Sequence, residues 1–173
     1  MHYTANCLFG LALALLGTAC IGAEDEGTEP ELIDDAAVES VESSEQALVT
    51  CSGNGCDGQD PGSTGCGADG LTAQKLDIFG FNNVKLGTVA LRYSPTCKTF
   101  WSHVVPIYSN NTTGADVSRT DGAFASSGLS TGNSKSPMLF APCYSGKFVR
   151  GGGQIDPPGS SYGSATTAFY CVP

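Results

Sequence analysis

Eight cysteines in 173 residues restrict what this chain can fold into more than any other feature. Cys7 and Cys20 lie in the N-terminal stretch, which leaves Cys51, Cys56, Cys66, Cys97, Cys143 and Cys171 for the remainder. An even set in an exported chain reads as a disulfide framework, with 15 pairings that spacing alone does not separate. Zinc, the competing use of clustered cysteine, fails on ligands: no pair has C-x-x-C spacing, and an oxidising compartment competes for the thiolates. Each bridge is expected to contribute about 2–4 kcal/mol by restricting the unfolded chain. That matters in a region holding most of the 23 glycines.

Export is read from the other end. Leu8 to Ala19 form an apolar run of about a dozen residues, too short for a membrane span of roughly 20 and suited to the core of a signal peptide. Residues 1–20 are therefore expected to be a signal peptide. Leu16-Gly17-Thr18-Ala19-Cys20 resembles a bacterial lipobox, so Cys20 is the expected lipidation site and the chain's only link to a membrane; ordinary cleavage near Ala23 would instead release a freely secreted protein. Residues 21–50 carry ten acids and no Lys or Arg. So charged a segment cannot bury enough apolar surface to offset its ordering entropy, and it is expected to be a disordered acidic linker, with a pro-region cleaved near Gln46-Ala47-Leu48 as the alternative.

The β-domain is expected over residues 51–173. It holds all eight Lys and Arg against seven acids, so the chain's net charge of −9 belongs to the linker. Its basic residues stand singly in the sequence, which argues against nucleic acid as a partner. The stretch Leu91 to Val105 organises the rest: two runs rich in aromatic and β-branched residues meet at Ser94-Pro95-Thr96-Cys97, a corner suited to an antiparallel hairpin. Further strands are expected at Leu71–Phe79, near Ala115–Arg119 and Ala123–Ser127, and at Thr166–Cys171. Met138–Phe140 and Lys147–Arg150 read as a hairpin flanking Cys143, residues 53–70 as loop and Phe81-Asn82-Asn83 as a turn. The fold class is all-β: a small antiparallel sandwich or barrel, disulfide-stapled.

Leu91-Arg92-Tyr93-Ser94-Pro95-Thr96-Cys97, with Trp101 four places on, and preceded by Cys56-Asp57-Gly58-Gln59-Asp60-Pro61 and Cys66, resembles the YjfA-like family of small secreted bacterial domains, for which no function is established. Ser136-Pro137-Met138 and the closing Cys171 resemble the family's tail. The resemblance implies bridges from Cys56 to Cys66 and from Cys97 to Cys171, leaving Cys51 for Cys143. It also implies a basic residue, usually arginine, at the position of His103.

Three uses of the domain compete. A non-enzymatic binding or structural module would present Arg92, Tyr93, Trp101 and His103 as an aromatic, partly basic surface to an extracellular or envelope partner. A small secreted hydrolase would use His103 as base, Ser94 or Ser102 as nucleophile and Asp60 as orienter. A calcium-stabilised module would gather Asp57, Asp60 and Asp69, although their spacing is not that of an EF-hand and Asp-Pro and Asp-Gly are ordinary turn formers. Gly151-Gly152-Gly153 follows a strand instead of opening a helix, so it is no phosphate loop. The binding module is preferred, with no cofactor expected.

Overall fold

The structure is a computed structural model that describes residues 48–159 and 162–172. The expected signal peptide, the expected lipidation site Cys20 and nearly all of the expected acidic linker lie outside the described residues. The described chain is all-β, with nine strands: β1 Leu71–Phe79, β2 Lys85–Ser94, β3 Thr99–Pro106, β4 Thr112–Arg119, β5 Phe124–Thr131, β6 Ser134–Lys135, β7 Leu139–Phe140, β8 Val149–Asp156 and β9 Gly163–Thr166. Its helical elements are short 3-10 turns, at Gly53–Cys56, Phe81–Asn83 and Cys143–Ser145, and no helix among the described residues is long and apolar enough to cross a membrane.

Two antiparallel sheets result. The first runs β1-β2-β3-β6, with β7 also pairing β3; the second runs β5-β4-β8-β9. Of the two expected layouts this is the sandwich. The hairpin at its centre forms as the sequence implies, Leu91 opposite Ser102 and Tyr93 opposite Phe100. Its corner closes through Lys98 N donating to Ser94 O at 2.7 Å, with Lys98 at φ 59. The turn before β2 uses Asn82 and Asn83 at positive φ, which asparagine tolerates better than most residues.

Alternation along the strands decides which side chains meet. Val89, Leu91, Phe100 and Val104 point inward from the first sheet, and Ala115, Val117, Val149 and Ile155 answer from the second. The glycine run proves to be the middle of β8, not a segment after a strand. A Cβ on Gly153 would stand 2.5 Å from Val104 Cγ2, and one on Gly151 3.2 Å from Ser102 Oγ. The missing side chains let β8 approach β2 and β3, and Ser102 Oγ donates to Gly152 O across the gap at 2.8 Å.

Several expectations are corrected. β7 and β8 do not form a hairpin with each other; β7 pairs β3 and β8 pairs β4, because Cys143 sits in a 3-10 turn between two sheets. The last strand ends at Thr166, and Tyr170 and Val172 make isolated bridges to Val149 and Pro142. All three cystine pairings also differ: the bridges are Cys51–Cys56, Cys66–Cys97 and Cys143–Cys171. The reason is topological. Residues 50–70 fold as a cap over the outer side of the first sheet, pinned where Gly53 N donates to Cys97 O at 2.8 Å, so Cys66 reaches the hairpin corner. The C-terminal segment runs beside the turn at Cys143, whose N donates to Val172 O at 3.1 Å, which brings Cys171 to Cys143.

Candidate functional site

Trp101, His103 and Val105 leave β3 on the side away from the sandwich interior, as expected of residues two apart in a strand. Register carries that outer face across the sheet. Lys75 of β1 lies opposite Ala90 of β2, Ala90 opposite His103, and His103 opposite Lys135 of β6. One step along, Thr72, Arg92 and Trp101 form the neighbouring row. Four strands at about 4.8 Å spacing put Lys75 and Lys135 roughly 14 Å apart at the backbone. The result is a line of basic groups over a floor kept low by Ala90.

Each group is held differently. Arg92 Nη1 donates to Thr72 Oγ1 at 2.6 Å and Nη2 donates to Gly70 O, so backbone and hydroxyl oxygens orient the guanidinium without neutralising it. His103 is half-buried; burial, then Lys135, then Arg92 hold its imidazolium form below the ordinary 6.5. Asp77 stands on this face and pairs with Lys85 at 2.7 Å, and Asp69 of the cap accepts from Ser94 and Thr96 at its end. No carboxylate among the described residues makes a salt bridge to Lys75, Arg92 or Lys135. Lys75 and Lys135 were missed from sequence because each stands alone there and joins the others only through strand register.

The surface expected from Arg92, Tyr93, Trp101 and His103 is thereby split. Trp101 is 2% exposed, buried among Cys56, Cys66, Cys97 and Met138 beneath the cap. A Cβ on Gly70 would meet its Cη2 at 2.7 Å, so the cap's backbone lies directly on the indole. Tyr93 points to the opposite side of the sheet, 4.8 Å between ring centroids from Phe100, and lines a cavity of about 180 Å³ with Lys98, Phe140 and Tyr144. Arg92 and His103 remain together, and Lys135 and Lys75 replace the aromatics.

The hydrolase residues do not meet. Ser94 Oγ donates to Asp69 Oδ1 at 2.5 Å and accepts from Cys97 N, Ser102 Oγ is turned inward onto Gly152 O, and Asp60 Oδ1 accepts from the amides of Gly62 and Ser63. His103 has cations, not a carboxylate, around it. Gly159-Ser160-Ser161-Tyr162-Gly163 has the letters G-x-S-x-G, a pattern that places a nucleophile only between a strand and a helix, and no α-helix follows it among the described residues. The calcium residues are likewise separate: Asp57 accepts from Phe140 N and Arg119, Asp60 closes its own turn, and Asp69 caps the hairpin corner. Burial alone would push the Asp69 carboxyl up, but hydrogen bonds from Ser94 and Thr96 hold it below the ordinary carboxylate value. The structure does gather four sulfurs, those of Cys51, Cys56, Cys66 and Cys97, within 4.8 Å of one another, which spacing did not foretell. They form two disulfides, and a disulfide is no thiolate ligand.

A family model described as "Protein of unknown function (DUF2690)" matches residues 54–145. The uncharacterized protein YjfA of Bacillus subtilis (strain 168) is 29% identical over 92 residues, which cover 51% of this chain and 59% of that protein. The chain thus spans less than two thirds of that relative's length. No solved structure matches. The family match takes in most of the cap from residue 54, the hairpin, Trp101 and the whole basic line, and stops before β8 and β9. The resemblance carried by Cys56 to Trp101 is borne out.

Proposed function

We propose that this chain, which belongs to the DUF2690 family, is a non-enzymatic binding module that works outside the cytoplasm and engages an anionic partner through the outer face of its first sheet. One observation carries the reading: Lys75, Arg92, His103 and Lys135 lie on one face in adjoining rows, and none of them is in a salt bridge among the described residues, Asp77 beside them being paired with Lys85 and Asp69 at the end of the face being taken up by Ser94 and Thr96. Cations spread in a line, not converging on a point, suit an extended polyanion or an anionic surface better than a single small ion. Export, through a signal peptide and either a lipid at Cys20 or free release, is part of the same proposal, and the three bridges are its support.

The test is binding of the full chain to dextran sulfate, with neutral dextran as control, at low and high salt. Binding should weaken steeply with salt. The double variant Lys75→Glu/Lys135→Glu should abolish it, whereas Lys98→Glu/Lys147→Glu, which changes net charge equally but off this face, should retain most of it. Equal loss in both variants, or no binding at low salt, refutes the reading.

A further inference from the structure

We propose that the outer face of the second sheet holds a single saccharide ring, hydrogen-bonded by Asp116, Gln154 and Ser126 and covered on its C–H face by Phe124 and Leu129. This site lies on the other layer of the sandwich from the basic line and stands independently of it.

The groove follows from register. Asp116 of β4 lies opposite Ser126 of β5 on one side and Gly152 of β8 on the other. In the next row Gly114 lies between Leu129 and Gln154. Two missing side chains open the floor. A Cβ on Gly152 would stand 2.5 Å from both Asp116 carboxylate oxygens, and one on Gly114 would meet Leu129 Cδ2 at 3.0 Å and Gln154 Cγ at 3.2 Å. The carboxylate therefore lies over β8, and Leu129 and Gln154 lean over Gly114 from either side. Between Gly114 and Asp116 the register shifts, with Ser127 and Gly128 of β5 set against Ala115 alone, one residue extra, and Gly128 at φ 70. Such bulges re-aim side chains and recur beside binding sites. The cavity so formed measures about 240 Å³.

The lining selects a class of ligand. Asp116 is half-buried, and burial pushes its carboxyl up while the Arg150 charge opposes that; no hydrogen bond from the described residues acts on it. Ser126 Oγ accepts from Gly128 N at 3.2 Å, which leaves its hydrogen to donate, and the Gln154 amide offers both donor and acceptor. An anionic ligand would meet the carboxylate. A cation would find one carboxylate, with Arg150 nearby, where calcium takes six to eight oxygens. A neutral ring with several hydroxyls and an apolar face satisfies both the polar floor and the lip, where Phe124 is 64% and Leu129 65% exposed. Pockets for drug-sized ligands run to about 300–1,000 Å³, so this one encloses one ring and not an oligomer. Glycoside hydrolysis ordinarily needs two carboxyl groups flanking the bond, and Asp116 is the one acid in the lining, so the ring is bound and not cleaved.

The experiment is saturation-transfer difference NMR of the full chain with methyl glycosides of glucose, galactose, mannose and N-acetylglucosamine, followed by calorimetry. At least one glycoside should bind with a Kd on the order of 1 mM. Asp116→Ala should weaken that binding roughly tenfold or more, the loss expected of a charged hydrogen-bond acceptor. Phe124→Ala should also weaken it, with Tm unchanged because the ring is mostly in solvent, so a result does not depend on Asp116→Ala folding. Lys75→Glu/Lys135→Glu should leave sugar binding intact. Absence of transfer from all four glycosides, transfer undiminished in Phe124→Ala, or a response of the groove to Ca²⁺ alone overturns the proposal.

Discussion

Arg119 Nη1 donates to Asp57 Oδ2 at 2.9 Å, joining the end of β4 to the cap across 62 residues of sequence. The same nitrogen donates to Phe140 O at 2.6 Å, and Asp57 Oδ1 accepts from Phe140 N at 2.6 Å, so three distant segments close one ring of hydrogen bonds. Arg119 Nε also bonds Asp121, and that contact is the first cause holding the Asp121 carboxyl well below its ordinary range. Through this ring the second sheet helps to hold the cap that covers Trp101.

Removing Asp57 leaves the buried Arg119 guanidinium with Asp121 as its one carboxylate partner and takes the side-chain acceptor from Phe140 N. Asp57→Ala should cost about 2–3 kcal/mol of stability, read from the urea midpoint, with a smaller loss in Asp57→Ala/Arg119→Met because the buried guanidinium, left with only part of its hydrogen bonds, is removed as well. Equal losses in the single and double variants would show that the ion pair is not what holds the cap.

Packing between the sheets gives a second test. Gly153→Ala places a carbon 2.5 Å from Val104 Cγ2 and 2.9 Å from Val89 Cβ. Overpacking there should cost about 1–3 kcal/mol. Gly55→Ala, whose added carbon meets nothing within 4 Å, should change stability by less than about 0.5 kcal/mol. Urea denaturation of the two variants side by side distinguishes a constrained glycine from an incidental one.

His103 gives the pH dependence. Its folded value lies below the ordinary 6.5, so the unfolded chain binds the proton more readily, and the stability due to the neutral imidazole is present above about pH 6.5 and is lost as pH falls through the folded value. His103→Gln should flatten that part of the pH–stability curve. An imidazole NMR titration should show a midpoint below 6.5 in the free protein, moving upward when dextran sulfate is added, because an anion over the face offsets Lys135 and Arg92. A free-protein midpoint above 6.5 contradicts the cationic surroundings described for this side chain.

Much of the first sheet was legible because its signals are local. Alternation and β-branching mark β1, β2 and β3, Pro95 marks the corner, and Asn82-Asn83 marks the turn before β2. The second sheet is less legible: β4 and β5 run beyond the stretches that β-branching marks near Ala115 and Ala123, and β8 continues past Arg150 through three glycines that carry no hydrophobic period. The candidate sites were hidden for a different reason. Lys75, His103 and Lys135 are 28 and 32 residues apart and meet only because three strand pairings place them in one row. Trp101 was misplaced onto the surface because a strand's outer face is ordinarily solvated, and here a cap of low periodicity lies across it. The cystine pairing implied by the resemblance fails likewise, since the cap carries Cys66 to the hairpin corner at Cys97, which leaves Cys51 for Cys56 and Cys143 for Cys171.

The bridges differ in what they restrain. Cys66–Cys97 closes 31 residues and Cys51–Cys56 closes 5. On loop entropy, Cys66→Ala/Cys97→Ala should cost about 3–4 kcal/mol and Cys51→Ala/Cys56→Ala about 2 kcal/mol. The first should also raise Trp101 fluorescence quenching by iodide, since the cap over the indole loosens. Quenching unchanged in that variant would mean the cap is held without its bridge.

The fold rests on a cap fastened to the hairpin corner by the Cys66–Cys97 cystine, and mass spectrometry of peptides from the unreduced native protein addresses that most directly. The structure requires Cys51 linked to Cys56, Cys66 to Cys97 and Cys143 to Cys171. Recovery of Cys66 and Cys97 as free thiols, or of Cys97 joined to Cys171, would contradict it.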